Sequence, residues 1–204
     1  MEPVQLKDRD FVLVIDKSGS MGTQDQRGGL SRWEAAAEAT TALARKAATY
    51  DEDGLTLLTF SSKHRRFDNV TDASQVARIF EEEEPNGSTN LDGVLGAVFS
   101  DYLTRKGKGQ TKPNGEIAII VTDGAPDDRT AVKNAITAFT QRLDRDEEYG
   151  MLFLQIGTDP AARTFLKQLD DDLKGAKFDI VDTLTMDELG DKTLTEALAG
   201  AIAD

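Results

Sequence analysis

The sequence predicts an α/β domain: an open, doubly wound and mostly parallel central sheet, with one antiparallel edge strand and helices on both faces. Three observations carry this reading. Short apolar runs rich in β-branched residues recur at Phe11–Ile15, Leu55–Phe60, Ile117–Thr122, Met151–Ile156 and Phe178–Val181. Four of the five are nearly continuous rather than alternating, as suits strands buried on both faces of a parallel sheet. Segments of helical period lie between them, and strand–helix alternation sustained along the chain specifies parallel strands joined by crossover helices.

The elements follow in order. The first strand, Phe11-Val12-Leu13-Val14-Ile15, runs straight into Asp16-Lys17-Ser18-Gly19-Ser20-Met21, and a loop, Gly22–Leu30, comes next. Ser31-Arg32-Trp33-Glu34 reads as a capping box that opens a helix near residue 32, with Trp33 anchoring that helix against the sheet. After the strand Leu55–Phe60, His64–Val70 supplies the antiparallel edge, and Lys63-His64-Arg65-Arg66 reads as its solvated face. The polar loop Asn86-Gly87-Ser88-Thr89-Asn90-Leu91-Asp92-Gly93 leads into a helix whose buried stripe is Leu91, Val94, Leu95, Val98 and Tyr102.

Lys106–Gly115 reads as a flexible surface loop; Lys106-Gly107-Lys108-Gly109 lacks the G-x-x-x-x-G-K-[ST] frame of a phosphate-binding loop. Beyond the strand Ile117–Thr122, Asp127 and Asp128 are placed to cap a helix beginning near Thr130, with Val132, Ala135, Ile136, Phe139 and Leu143 on one face. Asp159-Pro160 offers an N-cap with proline at the first helical position. Thr185-Met186-Asp187-Glu188 is a second capping box, opening a last helix from about Met186 to Ala203. With no internal repeat and no linker-like stretch, residues 1–204 read as a single domain.

Composition narrows the function. The chain has 204 residues, 39% of them hydrophobic, and no apolar run approaches the roughly 20 residues a membrane span needs. Cysteine is absent, which removes disulfide scaffolds, zinc fingers, iron–sulfur clusters and thiol nucleophiles. A net charge of −13 repels phosphate backbones and anionic lipid, so neither nucleic acid nor a membrane surface is expected as partner. The segment Met1–Asp10 lacks the basic and apolar regions of a secretory signal, giving a cytoplasmic expectation. His64 is the single histidine, and on an edge-strand face it completes no Ser-His-Asp triad. Nothing in the sequence sets an oligomeric state.

Ligands of such sheets bind beyond the carboxyl ends of the strands. The first strand ends there in Asp16, Ser18 and Ser20, with Gly19 permitting a tight bend, and Ile119-Ile120-Val121-Thr122-Asp123-Gly124 ends another strand in an aspartate. Thr89 stands at the start of the helix between them. Neutral hydroxyls with two carboxylates form an all-oxygen donor set suited to a hard divalent cation that keeps some of its waters. Mg²⁺ matches best, Mn²⁺ is a close substitute and Ca²⁺ ranks behind them.

These segments together resemble the metal-ion-dependent adhesion site of von Willebrand factor A domains: D-x-S-x-S, then a loop threonine, then an aspartate in a T-D-G context. Asp16, Ser18, Ser20, Thr89 and Asp123 fill every position. The resemblance runs from about Asp10 to Ala203 and implies a Rossmann-like fold and a non-enzymatic interaction module. It further implies that Ser18 and Ser20 ligate the metal directly, Thr89 directly or through water, and Asp16 and Asp123 mainly through water or by moving into direct contact. The remaining position would take an Asp or Glu carboxylate from a partner protein. Among relatives, the chain resembles intracellular bacterial members, including those of tellurium-resistance and stress operons, more than extracellular adhesins.

A rival class is a Mg²⁺-dependent phosphoryl-transfer enzyme of the haloacid-dehalogenase kind, which also places an aspartate at the end of its first strand. Those enzymes need a second aspartate two residues later as acid and base. Here that residue is Ser18.

Overall fold

The computed structural model describes residues 6–51 and 53–203, so the two ends of the predicted 1–204 domain lie partly outside the described residues. Its elements are β1 (Asp10–Asp16), α1 (Arg32–Ala47), β2 (Leu55–Phe60), β3 (His64–Val70), α2 (Ala73–Glu82), α3 (Leu91–Gly107), β4 (Glu116–Thr122), α4 (Arg129–Thr140), β5 (Tyr149–Gln155), α5 (Pro160–Asp171), β6 (Val181–Thr185), α6 (Met186–Gly190) and α7 (Leu194–Ala203). The strands form one sheet in the order β3-β2-β1-β4-β5-β6. All pairs are parallel except β2 with the edge strand β3, which is antiparallel.

The continuous apolar runs are explained by cover on both faces. Along β1, Phe11, Leu13 and Ile15 enter one core with α1, α2 and α7, while Val12 and Val14 enter the other with α3, α4 and α5. Truncating one such fully buried residue, Leu13→Ala for instance, belongs to a class of change that costs about 2–5 kcal/mol.

Both capping boxes form as read. The Ser31 hydroxyl accepts from the Glu34 amide and Thr185 from Glu188, each with the reciprocal bond. Asp159 caps α5 ahead of Pro160, and Asp128 caps α4.

Two readings need correction, and one element went unread. The last strand lies at Val181–Thr185 rather than Phe178–Val181; pairing with β5 begins at Met151↔Val181. As an edge strand it tolerates Asp182 and Thr183, so apolarity marks its approach better than its body. The last helix is two helices, because Gly190 and Asp191 end the first and Thr193 starts another box with Glu196. Trp33 lies in the core that α1 shares with β1, β2 and β4 and also packs on Phe80 of α2, ring centres 4.4 Å apart, so it ties α1 to α2 as well. The short helix α2 went unread, although Asp72 and Gln75 form a capping box for it.

Lys106–Gly115 is also less free than a flexible loop. Lys106 closes α3 and pairs with Asp144 and Glu148 at 3.0 and 2.6 Å. At the amino ends of the strands, Lys112 reaches Asp53 at 2.9 Å, Asp10 at 3.5 Å and also Asp51. Beside it, Arg105 holds Asp10 at 2.6 Å, Asp101 at 2.9 Å and the fully buried Glu116.

Burial pushes the Glu116 carboxyl up to about 7, against the opposing pull of Arg105. The folded chain therefore holds this proton more tightly than the unfolded chain, whose glutamate titrates near 4.3, so stability from this group is present at low pH and lost as pH rises from about 4.3 through 7. Chemical denaturation across that window should show a decline that Glu116→Gln removes. Parallel profiles for the two proteins would assign the decline elsewhere.

Candidate functional site

From β1 the chain steps outward to β2 and β3, then crosses to β4 on the other side, so β1 and β4 lie adjacent while their connections diverge. This is a topological switch point, where a crevice opens beyond the carboxyl ends. Asp16 ends β1, and Asp123 follows Thr122 at the end of β4; the register Ile15↔Val121 sets Asp16 level with Thr122, one residue before Asp123.

A chain of hydrogen bonds links four of the five candidate residues. The Ser18 amide donates to Asp16 Oδ1 at 2.7 Å, Ser18 and Ser20 hydroxyls meet at 3.1 Å, and Ser20 Oγ donates to Asp123 Oδ1 at 2.9 Å. The other oxygen of Asp16 accepts from the Thr122 hydroxyl at 2.7 Å. Asp16 is wholly buried, and desolvation pushes its carboxyl up to about 6 despite the amide and hydroxyl donors that pull the other way. A carboxylate so held favours a nearby cation.

Thr89 comes from the loop before α3. That loop is tied to the first turn by Gly19 N to Gly87 O at 3.1 Å, and to the β4–α4 loop by a reciprocal pair: Thr89 N to Asp127 Oδ1 at 3.1 Å and Asp127 N to Thr89 O at 3.0 Å. Among the described residues no hydrogen bond joins the Thr89 side chain to the other four. Its hydroxyl is left available, as a ligand position requires. Gly87 has φ +79, and a Cβ there would stand 2.8 Å from Ser62 Oγ, so glycine permits the loop to close on β2.

The sequence reading missed three contributors. Asp127, read as a helix cap, instead fixes Thr89. Ser62, beyond β2, accepts from the Ser88 amide at 3.1 Å and so supports the same loop. Arg32 reaches Asp123 Oδ2 with Nη1 at 2.8 Å and grips Asp25 with its other edge. One signal was present for Arg32: a cation at the first helical position opposes the helix dipole and calls for another reason.

The donor set fits a hard divalent cation. Every group is an oxygen, two are carboxylates with Asp16 pushed toward neutrality by burial, and the Thr89 hydroxyl has no hydrogen-bond partner among the described residues. A second group of carboxylates, Asp10, Asp51 and Asp53, also converges within 4.8 Å. It lies at the opposite, amino end of the sheet, and the Lys112 ammonium already stands among its oxygens.

Residues 11–126 match the family model for the von Willebrand factor type A domain, and the chain belongs to that family. Its members are mostly interaction modules, commonly with a divalent metal. No curated protein matches the chain. Among solved structures, manganese-loaded TRAP protein of Plasmodium vivax superposes with a TM-score of 0.61 at 14% identity, over 91% of this chain and 71% of that one. A variant of the PilB minor pilin of Streptococcus sanguinis gives 0.62 at 14%, over 97% and 60%. An aerotolerance-related membrane protein of Bacteroides fragilis gives 0.52 at 18%, over 74% and 69%. At these identities the likeness establishes the fold. The chain spans less than two thirds of the pilin. Among the described residues no helix is long and apolar enough to cross a membrane.

Thr122 tests the carboxylate at the centre of this arrangement. Thr122→Val keeps the shape but leaves a buried Asp16 oxygen without its donor, an omission that costs about 1–3 kcal/mol. Denaturant unfolding should show that loss, with Thr122→Ser recovering most of it. A valine variant as stable as the wild type would mean that Asp16 is not held through this hydroxyl.

Proposed function

We propose that this chain is a metal-dependent protein-interaction module. In this reading Asp16, Ser18, Ser20, Thr89 and Asp123 hold Mg²⁺ or Mn²⁺, and the ion takes an Asp or Glu carboxylate of a partner protein. The observation that carries it is the continuous hydrogen-bonded run from Asp16 through Ser18 and Ser20 to Asp123 across the switch point.

The bound cation supplies an electrophilic position for an external anionic oxygen. The chain's own residues do the rest. Ser18 and Ser20 offer neutral oxygens from one turn, so they hold without cancelling the positive charge. Asp16 and Asp123 would balance it from buried positions, and Asp127 holds the Thr89 backbone in place. The phosphoryl-transfer alternative is not carried forward, because Ser18 stands where such chemistry needs a carboxylic acid and a hydroxyl of very high pKa cannot shuttle the proton.

The surface charge gives this reading a salt signature. A chain of net charge −13 repels an acidic partner at long range, so moderate salt, with a Debye length of about 8 Å at physiological strength, screens repulsion while the short metal bridge persists. Partner affinity should hold or rise slightly with salt.

The test is capture of partners in Mg²⁺ and release by chelator, followed by affinity measurement on variants. Ser18→Ala and Ser20→Ala should abolish chelator-sensitive binding, whereas Ser100→Ala, on the exposed side of α3, should leave it intact. Ser62 is unsuitable as a neutral control, since its hydroxyl supports the Thr89 loop. Equal affinity for Ser20→Ala and Ser100→Ala would place the recognised surface elsewhere.

A further inference from the structure

Arg32 brings a permanent positive charge to a site built for another. Its Nη1 donates to Asp123 Oδ2 at 2.8 Å, while the second oxygen of the same carboxylate accepts from Ser20. Asp123 is 1% exposed, so the pair is shielded from water. On its far edge the guanidinium donates through Nε and Nη2 to Asp25, at 3.1 and 2.6 Å. The backbone is fixed as well, with Arg32 N donating to Thr23 O at 3.0 Å.

The position is built for the side chain. Gly157, just beyond β5, has φ +76 and lies flat against the guanidinium; a Cβ there would stand 2.9 Å from Arg32 Nε. Arg32 also occupies the first turn of α1, where a cation costs about 0.3–1 kcal/mol against the helix dipole. Its contacts lie with Asp25 and Asp123, not with its own helix.

We propose that Arg32 is a positioning residue that sets the divalent-cation affinity of the Asp16–Ser18–Ser20–Thr89–Asp123 site, with Asp25 as its counterweight. This rests on the metal-binding reading above. Arg32 neutralises much of the charge that Asp123 would offer an incoming cation, and it pins one Asp123 oxygen away from the crevice. Asp25, in turn, draws part of the guanidinium charge outward toward solvent. Cation occupancy is thereby coupled to the 23–30 loop, which carries Asp25 and walls a cavity of about 290 Å³ beside the site together with Thr158, Arg163 and Met186.

The two partners make opposite predictions, which separates electrostatics from a general loss of structure. The probe is Mn²⁺ alone, titrated calorimetrically against the full chain at neutral pH. Arg32→Gln keeps a donor toward Asp123 but removes the charge, and should raise Mn²⁺ affinity on the order of tenfold. Asp25→Asn leaves the guanidinium charge uncompensated and should lower affinity on the order of threefold. Arg32→Lys retains the charge and should stay near the wild type. Thermal melting in chelator adds a second readout: Arg32→Gln should melt below the wild type, and Mn²⁺ should restore it by a larger increment.

Wild-type binding with Arg32→Gln no tighter and Asp25→Asn no weaker would overturn the role of Arg32 and leave the metal site standing. Absence of Mn²⁺ binding at millimolar concentration in both the wild type and Arg32→Gln would overturn the metal reading and this inference with it. Binding by Arg32→Gln alone would support both. If Arg32→Gln fails to fold, the exposed Asp25→Asn decides by the direction of its shift.

Discussion

A carboxylate shut off from water governs the arrangement around it. Asp16 ends β1 at the point where the connections of β1 and β4 part, and none of it is exposed. Burying a charge there costs several kcal/mol unless it is matched by donors. Two are provided, from the Ser18 amide and the Thr122 hydroxyl, yet desolvation still prevails and the carboxyl sits at about 6. The tight turn at Ser18-Gly19-Ser20 follows from this demand, since only a chain that bends back at once can aim the Ser18 amide at its own strand end. The β1–β4 register follows too, because it brings Thr122 beneath Asp16. What remains is a crevice whose donors are oxygens and whose electrostatic need is a cation.

The opposite end of the same sheet shows how that need is otherwise met. Asp10, Asp51, Asp53, Asp101 and Glu116 gather near the amino ends of the strands, but Lys112 and Arg105 lie among them. Carboxylates there are paired with the chain's own cations, although one oxygen of the buried Glu116 has no hydrogen-bond partner among the described residues. At the upper end one arginine is shared between two carboxylates and Asp16 receives none. The contrast between the two ends lies in the supply of internal cations, not in the number of carboxylates.

How far this was legible in the sequence depends on whether a feature is local. Strands β1, β2, β3, β4 and β5 were readable because burial on both faces, or charge on an edge, writes itself into a run of five to seven residues. The capping boxes at Ser31 and Thr185 were readable because a hydroxyl residue is followed three positions later by glutamate at the head of a segment already read as a helix. The candidate donor set was readable only through a family pattern spanning Asp16 to Asp123. By contrast, β6 is an edge strand whose Asp182 and Thr183 carry no apolar signature, and the break between α6 and α7 hides in Gly190 and a box at Thr193. Asp127 and Arg32 act on residues 38 and 91 positions away, and a contact of that range leaves no periodicity to find.

The loop from Gly22 to Leu30 shows how such distant contacts shape dynamics. None of its residues is buried, and Gly28 and Gly29 both hold φ of +77 in open space, so neither packing nor side-chain crowding fixes its path. Gln26–Leu30 and Gly29–Gln26 backbone bonds close it on itself, while its ties to the rest of the fold include the grip of Arg32 on Asp25, the Arg32–Thr23 and Thr23–Ser20 backbone bonds, and a highly exposed pair between Arg27 and Asp187. Exposed pairs of that last kind contribute about 0–1 kcal/mol. Two of these ties run through Arg32, the same residue that holds Asp123, and a third runs to Ser20. Segments with few buried contacts occupy the low end of local stability, and Arg32 ties this one directly to the carboxylate at the end of β4.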